Sequence, residues 1–111
     1  MKVSELTGHA LDWAVAKCEG FVQPQPIDWI LGGYFTPSTN WSQGGAIIER
    51  EHIGLWSEGY DWEAKIQTGA GEWLVEWDEE SPLVAAMRCY VASKLGDEVE
   101  IPTELTQGEN K

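Results

Sequence analysis

The sequence predicts a small mixed α/β (α+β) domain, a three-stranded antiparallel sheet packed by about three helices in the order helix-helix-strand-strand-strand-helix. Three observations carry this. One stretch, Ser81–Gly96, is a helix punctuated at both ends. Two alternating stretches, Tyr60–Gln67 and Trp73–Trp77, flank a glycine-rich turn. The chain has 111 residues, 42% of them hydrophobic, enough for one domain with a modest core.

Taken in order, Thr7 can cap a first helix that runs to about Glu19 and stops at Gly20. Leu11, Ala14, Val15 and Cys18 share one face of it, and Trp13 falls on the far side, either covered by another segment or exposed. Residues 21–37 hold three prolines and the Gly32-Gly33 pair. They read as an apolar connector lying over the core, with a short extended piece around Asp28–Leu31. PSTNWSQGGAIIERE (37–51) reads as a second helix capped by Ser38 or Thr39, although residues 47–51 alone also fit a strand. Gly44 and Gly45 cost that helix about 1 kcal/mol each relative to alanine. Such a pair points to close approach by another backbone or a ligand.

Ile53–Trp56 is short and β-prone. Trp62, Ala64 and Ile66 alternate with charged and polar residues, and Trp73, Val75 and Trp77 alternate with Glu72, Leu74 and Glu76. A symmetric four-residue turn, Thr68–Gly71, would set Ile66 against Trp73, Ala64 against Val75 and Trp62 against Trp77. The last helix has Ser81 as cap, Pro82 in its first turn and Gly96 as its stop. Its bulky stripe (Leu83, Val84, Met87, Tyr90, Val91, Leu95) is placed to cover the tryptophan face of the sheet. Its alanine side is left for another helix or a second copy. Arg88 has no obvious structural reason to lie in so apolar a segment. Residues 103–111 read as a frayed tail.

Seven basic against nineteen acidic residues give a net charge of −12, with thirteen of the acids in residues 57–111. Such a field disfavours direct nucleic-acid binding and suits a basic partner. No apolar run approaches the ~20 residues of a membrane span, so no membrane association is expected and the cytoplasm is the expected location. Cys18 and Cys89 read as reduced, buried thiols rather than a disulfide or a zinc site. No metal, cofactor or catalytic signature emerges; His9 and His52 have no triad spacing around them.

Two constellations could bind. In the first, Ser38, Thr39, Asn40, Trp41, Arg50, Arg88 and Tyr90 would form a pocket for a small anionic ligand, with rings stacking on a base and arginines meeting phosphate. The structural alternative is a helix cap, a core ring and local ion pairs. In the second, the expected register puts Asp61 opposite Asp78 and Glu63 opposite Glu76, with Glu79 and Glu80 adjoining. That array could hold a divalent cation or mimic nucleic-acid phosphates before a basic host protein. The alternative is a solvated face.

At TPSTNWSQGGAIIERE, at PLVAAMRCYVASKLGDEVEIP and at the opening SELTGHALDWAVAKCEG, the chain resembles the NinX-type family of lambdoid-phage accessory proteins, over residues 4–20, 34–53 and 81–102. The STNW…GG…IIERE segment is also similar to a motif of the phage ABA sandwich domain, which implies helices on both faces of a sheet. Asn40 stands where that pattern commonly has aspartate, and Ala46 where it has proline. The resemblance implies a phage or prophage origin and supplies no catalytic residues. The resulting expectation is a non-catalytic phage accessory protein that sequesters a nucleotide-type ligand in the host cytoplasm. The alternative is an acidic inhibitor of a basic host protein, with an enzyme as the third reading. A homo-oligomer is compatible with either binding mode.

Overall fold

A computed structural model describes residues 1–21 and 25–106. A 3-10 turn at Val3–Glu5 precedes α1 (Gly8–Cys18), α2 (Gln25–Leu31) and α3 (Trp41–Glu51). Strands β1 (Gly54–Ser57), β2 (Trp62–Gln67) and β3 (Trp73–Asp78) follow, then α4 (Pro82–Leu95) and α5 (Thr103–Thr106). The strands form one antiparallel sheet in the order β1-β2-β3, so β1 and β3 are both edges. The predicted α+β architecture and element order hold, with two short helices added.

Both additions correct the sequence reading. The segment expected to be extended at Asp28–Leu31 is the end of α2. Pro26 sits in the first turn of α2, where its missing N–H removes no helical bond. The tail expected to fray from residue 103 continues as α5, and Leu105 is buried beside α1. Residues 107–111 of that expected tail lie outside the described residues.

Helix α3 settles residues 47–51 as helical, but its cap is neither Ser38 nor Thr39. Asn40 takes that position, its Oδ1 accepting from Ser42 N at 2.9 Å. The glycine pair splits in meaning. A Cβ on Gly44 would collide with the Pro37 carbonyl and lie 2.6 Å from Leu83 Cδ2, whereas one on Gly45 would meet only Trp41, at 3.7 Å. Gly44 is therefore where the backbone entering α3 closes on α4.

The largest correction is in the sheet. Gly71 N donates to Thr68 O at 2.9 Å, and Gly71 adopts a φ of +85°. Thr68 N then donates to Glu72 O at 2.7 Å. This closes a loop of only Gly69, Ala70 and Gly71, a tight turn followed by a left-handed residue. Removing one residue from the expected turn slides β3 by one position: Trp62 pairs with Asp78, Glu63 with Trp77, Ala64 with Glu76 and Ile66 with Leu74. Because side chains alternate, that slip turns every β3 residue to the other face. Trp73, Val75 and Trp77 point away from the helices and are exposed, while Leu74, Glu76 and Asp78 point inward.

Helix α4 lies across the inner face and touches all three strands. Its residues from Leu83 to Ala92 are all buried, because α1 and α3 pack against it as well. The expectation that its bulky stripe covers the Trp62–Val75–Trp77 face is overturned, because Val75 and Trp77 lie on the side away from α4. Cys89 meets the sheet, its Sγ 3.6 Å from Ala64 O and 3.3 Å from Leu74 O. Leu83 meets α3 at Gly44, and Tyr90 meets Arg50 of α3. The helices thus collect on one face, not on both as the ABA resemblance implied.

Candidate functional site

The seven residues expected to form an anion pocket are divided among three places. At the start of α3, Asn40 is the cap, Thr39 Oγ1 donates to Thr36 O at 3.4 Å, and Trp41 is exposed. Ser38 is buried there with its N–H donating to Asp12 Oδ1 at 2.9 Å, and its Oγ has no hydrogen-bond partner among the described residues. Arg50 lies nine residues after Trp41, at the other end of the helix, about 14 Å away along its axis.

There the structure does join two of the predicted residues, Arg50 and Tyr90. Arg50 Nη1 and Nη2 fork onto the Glu19 carboxylate at 3.1 and 2.6 Å, and Nε donates to Glu51 at 2.8 Å. The Tyr90 hydroxyl also donates to Glu19, and the guanidinium lies 5.7 Å from the Tyr90 ring centre. The hydrogen bond from Arg50 chiefly, against the opposing effect of burial, holds the Glu19 carboxyl below its usual range. Burial first, and then the bond to Glu19, push the Tyr90 phenol up. Both shifts move these groups away from neutral pH, the opposite of what acid–base work requires. This cluster clamps α1, α3 and α4 together.

Arg88 is the third place, with a relative exposure of 7%. Its Nε donates to Leu6 O at 2.8 Å and its Nη1 to Trp77 O at 2.6 Å, with Asp78 Oδ1 at 3.3 Å. Asp78 also accepts from the N–H groups of Glu80 and Ser81 at 3.1 and 2.8 Å, fixing the entry into α4. The ion-pair alternative weighed for Arg88 is what this geometry shows, with Asp78 as the carboxylate, and the side chain ties the N-terminal turn to β3.

The acidic array is divided too, because its pairing depended on the slipped register. Glu63 opposes Trp77 rather than Glu76, and Asp78 opposes Trp62 rather than Asp61. Glu76 and Asp78 face α4; burial raises the Glu76 carboxyl above its usual range, with Arg88 acting against it. Glu79 and Glu80 lie exposed in the turn before α4. Asp61 and Glu63 remain together on the outer face.

That face is the feature the sequence reading missed. Trp56, Glu63 and Trp77 are successive Cα partners across β1, β2 and β3, so one carboxylate stands between two indoles in a single row. Trp56 and Trp77 are 62% and 49% exposed, and Trp73 and Val75 extend the apolar surface along β3. A cavity of about 450 Å³ is lined by Trp56 and Trp77 together with Glu58, Asp61, Glu63 and Lys65. Three carboxylates face one ammonium there, and Lys65 Nζ lies 3.5 Å from Glu63 Oε1. Indole faces and carboxylates both attract cations and repel phosphates. A second hollow, formed by Phe21, Trp29, Tyr34 and Phe35, is apolar and built from edge-to-face ring contacts.

Among the described residues no group of three or more His, Cys, Asp or Glu side chains is arranged to hold a metal ion. Cys18 and Cys89 are free thiols, each pushed up to about 12 chiefly by burial. No helix among the described residues is long and apolar enough to cross a membrane.

Fold and surface together define a small α+β protein whose sheet is covered by helices on one face and carries an acidic, tryptophan-bearing surface on the other. Residues 2–94 match the family described as Bacteriophage P22, NinX, and the chain belongs to this family of phage proteins. No curated protein matches it.

Proposed function

We propose that this protein is a non-catalytic phage accessory protein that binds a basic protein partner through the outer face of its sheet. The observation that supports this most is the row Trp56–Glu63–Trp77, exposed over a cavity where carboxylates outnumber ammonium groups three to one. Large apolar rings concentrated on one face of a small protein mark interaction surfaces. Trp and Tyr rings within a polar rim are the usual anchors of protein interfaces. The net charge of −12 steers the same class of partner, since a basic surface approaches such a field faster and a nucleic acid is repelled. Host proteins that handle nucleic acid present basic surfaces of this kind, and covering one is a simple way for an accessory protein to act.

Isothermal titration of an arginine-rich peptide into the protein tests this reading. Affinity should fall steeply as salt rises and drop about tenfold in a Trp56→Ala/Trp77→Ala double variant. A Glu79→Gln/Glu80→Gln variant, altered outside the face, should bind almost as well as the unaltered protein. Binding that ignores the tryptophans but disappears with Glu79 and Glu80 would mean diffuse attraction to an acidic protein, and the reading would be dropped.

A further inference from the structure

Resting on that reading of the sheet face, we infer that the row Trp56–Glu63–Trp77 is a clamp for a single arginine side chain of the partner, its guanidinium held between the two indoles above the Glu63 carboxylate. Neighbouring strands lie 4.7–4.9 Å apart, so the two tryptophan backbones are separated by about 10 Å across the central strand. Rings rising from positions that far apart leave room for a planar cation between them, and Glu63, the partner of both, supplies the floor. Asp61 and Glu58 add charge at the rim of the same cavity. Lys65 sits one rung away, with Gly54 and Val75 as its strand partners, and it leans on Glu63 at 3.5 Å. An incoming guanidinium replaces that long contact with a shorter, forked one.

Arginine fits this site better than lysine. A guanidinium is planar, more weakly hydrated than an ammonium, stacks on aromatic faces and bonds a carboxylate through two N–H groups at once. Stacking between two indoles uses the first properties and Glu63 the last.

A second copy of this chain is a poor source of that group. The sequence has two arginines, Arg50 and Arg88. Arg50 is forked onto Glu19 and bonded to Glu51, and Arg88 is buried against Leu6 O, Trp77 O and Asp78. Two copies would also bring like-charged faces together. The guanidinium therefore comes from a different, basic protein.

The test uses N-acetyl-arginine methylamide, a probe carrying one guanidinium, with the indole N–H resonances of Trp56 and Trp77 followed by NMR. Its uncharged isostere, the citrulline derivative, is the control, and the arginine-rich peptide is titrated in parallel. The clamp predicts that the arginine probe shifts the Trp56 and Trp77 signals together and leaves buried Trp13 unmoved. It also predicts that the citrulline probe does nothing and that Glu63→Gln weakens the response about tenfold. Trp56→Leu, on an exposed site at a sheet edge, serves as a second variant with the same expected loss. If the peptide binds the face but the arginine probe shifts neither indole, or citrulline shifts them equally, the clamp is wrong and the wider surface reading stands. If the peptide also fails to bind, both are wrong.

Discussion

The Arg88 guanidinium and the Asp78 carboxylate meet at 3.3 Å beneath the sheet, with Arg88 also bonded to the carbonyls of Leu6 and Trp77. A cation this buried requires a charged partner, and Asp78 reaches it only because β3 turns its even-numbered residues inward. The same geometry sends Trp73, Val75 and Trp77 outward. One buried ion pair and one exposed aromatic face are therefore two consequences of a single register.

Asp78→Asn keeps an oxygen for the Glu80 and Ser81 amides but removes the charge opposite Arg88. Chemical denaturation should show a loss of roughly 3 kcal/mol, the scale for breaking a buried pair on one side. A double-mutant cycle with Arg88→Met should show strong coupling, since the second change removes the stranded charge. A loss within ~0.5 kcal/mol, typical of surface changes, would place the pair in solvent.

The two glycines of α3 should behave oppositely. Gly44→Ala forces a methyl group into the Pro37 carbonyl and Leu83, and overpacking of this kind costs about 1 to 3 kcal/mol. Gly45→Ala meets only Trp41 at 3.7 Å and gains helix propensity, so stability should rise by up to about 1 kcal/mol. Melting temperatures of the two variants give the comparison directly.

Tryptophan truncations should separate the two faces of the molecule. Trp13→Ala, in the core, should cost about 3 to 5 kcal/mol. Trp56→Ala, Trp73→Ala and Trp77→Ala remove exposed rings and should each stay within about 1 kcal/mol of the unaltered protein. Large losses at all three exposed sites would mean that the outer face is packed.

Acid stability should reflect two carboxyls with opposite signs. Glu19 has its folded pKa depressed, so its contribution is present above the ordinary carboxylate value of about 4.3 and is lost as pH falls through the folded value. Glu76 has its folded pKa raised, so its ionisation lowers stability as pH rises past the ordinary value. Melting curves from about pH 3 to about pH 8 should show Glu19→Gln below the unaltered protein at neutral pH and Glu76→Gln above it. Both differences should shrink at the acid end, where each carboxyl approaches protonation in both states.

Helices α1, α3 and α4 were legible because 3.6-residue periodicity is a local signal, although of the expected caps only Ser81 accepts from a helical N–H: Thr7 makes no side-chain cap bond and Asn40 caps α3. Helix α2 was not, since prolines and glycines around Pro26 read as breakers when Pro26 in fact occupies the first turn. Strand positions were legible but the register was not. A period of two says which residues share a face, never which face is buried, and hydrophobicity argued for burying Trp73, Val75 and Trp77. The deciding signal was non-local. Arg88, inside an apolar helix, needed a carboxylate, and the inward-facing side of β3 supplies Asp78 at 3.3 Å, with Glu76 on the same side. The anion pocket was drawn from residue types alone, and the structure divides those types among a helix cap, an interhelical clamp and a buried ion pair. The outer-face row was invisible because it depends on three strands being aligned.

The register of β2 against β3 underlies every functional statement made for the sheet face, and cross-strand nuclear Overhauser contacts measure it directly. Contacts pairing Glu63 with Trp77 and Lys65 with Val75 are predicted, together with Gln67 against Trp73. Contacts pairing Trp62 with Trp77 and Ala64 with Val75 instead would turn the β3 tryptophans inward, abolish the Trp56–Glu63–Trp77 row and contradict the account.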